Sequence, residues 1–144
     1  MAATAHDETV CLTDGRRSFT APASLDGFLQ SFAQSQDVTI VSGATDVGLW
    51  VTKQNRNLPN MIWTGRVRGF DMVERRGAHW RIGPAVTHEA AMSTLAKGRP
   101  DLGEVMRRFG SAQVRASGTV CGNIANGSPI GDLPPMLIAL AAEI

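Results

Sequence analysis

The sequence predicts an α+β fold in which strands alternate with helices early and a hairpin then interrupts them. Three observations carry this. Val38–Val41 is a β-branched run too short for a helix, and Leu25, Phe28, Leu29 and Phe32 fall on one helical stripe. From Phe70 through Met72 and again at Trp80 and Ile82 apolar residues alternate around Arg76-Gly77, the period-two signal of a hairpin.

Taken in order, residues 1–17 are polar and aperiodic and read as a terminal arm or linker with room for one short strand. Residues 18–22 are extended. Ser24 then caps a helix over Leu25–Gln34, whose apolar stripe predicts a core-facing side. Val38–Val41 reads as a buried strand bounded by Gly43, followed by the tight turn SGATD and a helix over 47–54. A further strand covers 61–63, after the Asn57-Leu58-Pro59 break. In the hairpin, Gly77 supplies positive φ. Thr87 caps a helix to about Leu95, and 102–109 forms a second; both are amphipathic rather than wholly buried. Pro134 fits the first turn of a last apolar helix.

Length and composition narrow the function classes. The 144 residues suffice for one domain, or part of one, and 43% apolar with 19% charged residues excludes a disordered chain. A formal charge of +1 gives no broad field to draw in nucleic acid or an anionic membrane, and neither is expected as a partner. No apolar run approaches the roughly 20 residues of a membrane span, and the polar start MAATAHDETV lacks a secretory core, so the cytoplasm is the expected location. Cys11 and Cys121 form no CxxC pattern, and no disulfide between them is expected. His6, His79 and His88 lack metal-ligand spacing and read as solvated or capping side chains.

Two segments are rich in small residues: VSGATDVG at 41–48 and GTVCGNIANGSPIGD at 118–132. Neither holds GxGxxG or GxxxxGK[ST], which excludes a Rossmann or P-loop reading by motif. The first follows a strand and precedes a helix, an order that gathers backbone N–H groups at one spot suited to phosphate. It carries no Lys or Arg, so charge there falls to amides and helix dipoles. Plainer roles stand beside these. Asp46 caps the following helix, Arg115 serves a surface contact or a helix carbonyl, and Trp50 packs. Lys53 and Arg56 face solvent, and Cys121 is a small filler rather than a reactive thiol.

The stretch RRFGSAQVRASGTVCGNIANGSPIGDLPPMLIAL, with IVSGATDVGLWVTKQ and LPNMIW before it, resembles the flavin-binding domain of the xanthine dehydrogenase family, within the molybdenum hydroxylases. The resemblance runs from about Phe19 to Ile144. It implies a PCMH-like FAD-binding domain over 18–144, with an N-terminal α/β subdomain and an incomplete second subdomain whose C-terminal end is missing. It further implies FAD held between the subdomains, its pyrophosphate on two glycine-containing turns. These are 41–47 (Val41, Ser42, Gly43, Ala44, Thr45, Asp46 and Val47) and 119–123, which includes Thr119, Gly122 and Asn123.

By the same resemblance Thr45 and Thr119 offer hydroxyls near phosphate, Asn123 an amide donor or acceptor, and Asp132 an acceptor for a ribityl or ribose hydroxyl, delivered by a turn over 126–132. Phe109 is either a ring near the flavin or a core phenylalanine at a helix end. Ala44 and Cys121 replace one member of each family glycine pair, and each fits without strain only at negative φ with its side chain pointing from the cofactor. No side chain reads as a general base, nucleophile or metal ligand, because the redox chemistry is the flavin's. The partners implied are an iron–sulfur domain and a molybdenum-binding subunit as electron source, and NAD as hydride acceptor. Two alternatives remain open: a scaffold fragment that no longer retains FAD and acts through subunit association, and a carbon monoxide dehydrogenase-like flavoprotein subunit. Apolar surface left by the missing strands predicts self-association.

Overall fold

Short strands held by parallel pairing build the first half of the chain. The computed structural model describes residues 8–127 and 131–144, and it divides into two units, Met1–Asp71 and Met72–Ile144. The first unit runs β1 (Val10–Thr13), β2 (Ser18–Ala21), α1 (Leu25–Gln34), β3 (Val38–Val41), α2 (Val47–Thr52) and β4 (Asn60–Trp63), then a 3-10 turn over Thr64–Arg66. Sheet order is β1-β2-β4-β3, with β1 antiparallel to β2 and both β2 and β3 parallel to β4. Parallel neighbours need crossovers, which α1 and α2 supply. Thr20 and Ile40 pair on either side of Ile62, which is 1% exposed in a core shared with Ala21, Ala23, Val41, Leu58 and Val67.

Three expectations change here. Ser24 caps α1 as predicted, accepting from the Gly27 amide at 3.1 Å, but the apolar stripe is not core: Leu25, Leu29 and Phe32 are about half exposed. Periodicity marks an apolar face, whereas burial needs a partner surface, and only Phe28 is partly covered, against Phe70 at 5.9 Å between ring centroids. Strand β3 is an edge strand, so only Val41 is buried and Ile40 stands open. Helix α2 stops at Thr52 rather than 54; Asn55, left-handed at φ 53, carries the chain away.

The second unit opens with the hairpin of β5 (Val73–Arg76) and β6 (His79–Ile82), turned by Gly77 at φ 62. Five helices follow: α3 (His88–Gly98), α4 (Pro100–Arg108), α5 (Ala112–Ser117), α6 (Val120–Asn126) and α7 (Leu133–Ala139). Val86, Ala91, Leu95, Leu102, Met106, Val120 and Leu133 form the core, with Trp80, Ile82 and Phe109 packed on it. Helices α3 and α4 touch where Gly103 faces Ala96. Thr87 caps α3, Pro100 opens α4, and Pro134 lies in the first turn of α7 as expected. No described helix is long and apolar enough to cross a membrane.

Helix α6 corrects the reading of 119–123 as a glycine-containing turn. Ser111 caps α5 by accepting from Val114 N at 3.3 Å, Thr119 caps α6, and left-handed Gly127 at φ 61 ends it. Those caps outweigh the low helix propensity of the glycines between them. His88 is also corrected: it is 2% exposed rather than solvated or capping, because its place in the first turn of α3 faces the core. His79 is exposed, and His6 lies outside the described residues.

Candidate functional site

Residues 42–46 join β3 to α2 at the carboxyl end of two adjacent parallel strands, the edge where open α/β sheets take ligands. Ser42 anchors the turn. Its hydroxyl is bonded to Thr64 Oγ1, and its carbonyl accepts from the Trp63 indole N–H at 3.0 Å. Thr64 Oγ1 also donates to Val41 O at 3.4 Å. The Ala44 carbonyl accepts from Gly48 N at 2.8 Å and closes the loop onto α2.

Ala44 sits at φ 60, so the negative φ its Cβ requires is not met, and the left-handed backbone costs it about 1–2 kcal/mol. Its side chain is exposed and loses no packing on removal. Ala44→Gly is therefore expected to raise stability by about 1 kcal/mol, read as a higher denaturation midpoint at unchanged m-value. Asp46 takes the N-cap place of α2 but makes no side-chain cap bond, correcting that expectation. Its helical angles, φ −87 and ψ −46, are not the extended ones that turn a cap side chain back. Trp50 carries the Arg56 guanidinium over its ring at 4.3 Å.

In the second unit Thr87 and Thr119 form an antiparallel bridge, flanked by His88 N to Gly118 O at 2.9 Å and Val120 N to Val86 O at 3.0 Å. Two helix caps are thus joined. Thr119 is 5% exposed, and its Oγ1 accepts from Gly122 N at 3.1 Å while its carbonyl accepts from Asn123 N at 3.0 Å. The amides of Val120, Gly122 and Asn123 are consequently committed inside the protein, which corrects the picture of 119–123 as a row of open N–H groups. Backbone donation from this segment falls to Thr119 and Cys121. The Thr119 hydroxyl, having accepted one bond, keeps its proton to donate.

Asn123 Oδ1 is buried with no hydrogen-bond partner. Cys121 lies within α6 without backbone strain, its Sγ 3.7 Å from Gly83 O and 3.9 Å from Ile82 O, and burial pushes the thiol pKa up, consistent with a filler. Arg115 donates to Phe109 O and Gly110 O, both at 3.0 Å, closing the end of α4 as the carbonyl reading requires. Phe109 packs on the core with its ring 4.6 Å from that of His88. Burial lowers the His88 pKa, and its Nδ1 has no hydrogen-bond partner; no local sequence signal marked it. Asp132 is exposed at the start of α7, while the turn expected over 126–132 includes residues 128–130, outside the described residues. A shallow depression of about 300 Å³ lined by Leu12, Arg17, Phe19 and Met61 lies over β1 and β2, at the other edge of the sheet from β3.

Residues 14–144 match the family described as the FAD binding domain in molybdopterin dehydrogenase. The chain belongs to that family. The cofactor of this FAD-binding domain is FAD. It is 29% identical over 125 residues to the nicotine 6-hydroxylase medium subunit of Paenarthrobacter nicotinovorans, covering 85% of this chain and 44% of that one. To xanthine dehydrogenase/oxidase of Gallus gallus it is 25% identical over 146 residues, 94% of this chain and 11% of that one. Among solved structures, carbon monoxide dehydrogenase from Hydrogenophaga pseudoflava superposes with a TM-score of 0.76 at 22% identity, covering 89% of this chain and 46% of the other. Quinoline 2-oxidoreductase from Pseudomonas putida 86 gives 0.75 at 24%, covering 81% and 42%. The fold is the expected α+β, PCMH-like one, and the domain spans less than half the length of these relatives.

The residues of the FAD-binding domain fit a dinucleotide. Asn123 Oδ1 is a buried acceptor awaiting a donor such as a sugar hydroxyl, and the Thr119 O–H is a donor awaiting an acceptor such as phosphate. Arg115 is occupied by the Phe109 and Gly110 carbonyls and by the Glu89 carboxylate at 3.4 Å.

Proposed function

We infer that this FAD-binding domain seats the flavin of a xanthine dehydrogenase-type molybdenum hydroxylase. Its partners are an iron–sulfur domain and a molybdenum-binding subunit as electron source, with NAD as acceptor. Bound FAD supplies the step between electron arrival and hydride delivery. The chain binds and orients. The backbone of Val41, Ser42, Gly43, Ala44, Asp46 and Val47 and the Thr45 hydroxyl would hold the pyrophosphate. Thr119 donates its hydroxyl, Gly122 holds that hydroxyl in place, and Asn123 and Asp132 accept from sugar or ribityl hydroxyls. Phe109 would stand near the flavin ring. The half-exposed α1 face supports association with a partner subunit or a second copy.

The observation that carries the reading is the 42–46 turn: it lies at the carboxyl edge of parallel strands, is tied down at Ser42, and has no cationic side chain. A second reading, an acceptor other than NAD in a carbon monoxide dehydrogenase-like or nicotine hydroxylase-like medium subunit, draws support from the 29% identity to the latter. Titration with FAD is expected to quench flavin fluorescence to a one-to-one end point. NADH is then expected to bleach the flavin absorbance without oxygen. Bleaching by dithionite but not NADH selects the second reading, and FAD whose fluorescence stays unchanged overturns both, leaving the scaffold role.

A further inference from the structure

Trp63 closes β4 and pairs in register with Val41, the last residue of β3. Its ring folds over Gly65, where an ideal Cβ would stand 2.5 Å from Trp63 Cε2 and 3.0 Å from Nε1. Only glycine admits the ring in that place. From there the indole N–H reaches Ser42 O at 3.0 Å, while Thr64, 3% exposed, bonds Ser42 from the side through its hydroxyl. The Ser42 carbonyl and the Gly43 amide belong to one rigid peptide plane, so holding the oxygen fixes the course of the chain into the turn. Two residues later the backbone is left-handed at Ala44, a conformation an untethered alanine leaves.

We propose that Trp63 is a positioning residue for the FAD-contacting turn, acting through Ser42 O, and that Gly65 is the space its ring requires. The FAD part rests on the function inferred above; the tether itself does not. No cationic or catalytic role is assigned to either residue.

Hydrogen exchange on the full chain without FAD tests the tether. The reporter is the Gly48 amide, whose bond to Ala44 O closes the turn, and the amides of the β2–β4 ladder are the reference. Trp63→Phe removes the donor and keeps a ring; Gly65→Ala displaces the ring and keeps the donor. Each is expected to speed Gly48 exchange about fivefold, the worth of one hydrogen bond, with the ladder unchanged. The combined variant is expected to do no more than the larger single change, since both break one bond. FAD is expected to bind each variant about fivefold more weakly. Unchanged Gly48 exchange, additive effects, or equal acceleration of the ladder overturns the proposal. Wild-type protein that takes up no FAD sinks the functional reading alone, because the exchange comparison still decides the tether.

Discussion

Gly103→Ala is expected to destabilise the second unit by about 1–3 kcal/mol, the cost of overpacking. In an ordinary helix interior the same change stabilises by roughly 0.5–1 kcal/mol, since glycine gives up more backbone freedom on folding. The sign reverses here because α4 crosses α3 at this residue. An ideal Cβ at 103 meets Ala96 Cβ at 2.5 Å and Ala96 Cα at 3.1 Å. One of those atoms is backbone, so no rotamer change relieves the clash and the helices must part, loosening Leu95, Leu102 and Met106 in the core. Ala96→Gly in the same chain is expected to restore part of the loss. Gly98→Ala, with open space around its Cβ, serves as the control with the opposite sign. Urea denaturation of the four proteins checks this; a Gly103→Ala chain as stable as wild type refutes the close crossing.

Thr119→Val is expected to lose about 1 kcal/mol of stability and at least about tenfold in FAD affinity, with different bonds behind the two losses. The stability falls because Gly122 N loses its acceptor at the start of α6. In the proposed function the affinity falls because the same hydroxyl would direct its proton to phosphate, and a hydrogen bond to a charged group is worth roughly 1.5–3 kcal/mol. Valine keeps the shape at this buried site, so packing is not the cause. Thr119→Ser is expected to recover both quantities. A valine variant that is less stable yet binds FAD like wild type would reduce Thr119 to a helix cap.

Local chemistry was legible. Ser24 and Thr87 as caps, the β-branched run ending at Val41 and the turn at Gly77 each depend on a few neighbouring residues, and each is where the sequence put it. What depends on distant pairing was not. The half-exposure of Leu25, Leu29 and Phe32 turns on what packs across them, and the edge position of β3 on sheet order. Helix α6 hides in glycine-rich sequence because its limits are set by Thr119, itself held through a bridge to Thr87. The family was recognisable by resemblance, but not the conformation of Ala44, the commitment of three amides at 120–123, or the tether from Trp63. Each of those arises from an atom brought from elsewhere in the chain.

Cys11 lies exposed on β1, while Cys121 is half-buried with its thiol pKa raised. The thiolate is the species that alkylates, so near neutral pH a maleimide dye discriminates between the two without any engineered cysteine. The native chain thereby offers a single attachment point on the outer strand of its sheet, on the same unit as the Trp63 tether and apart in sequence from both glycine-rich segments.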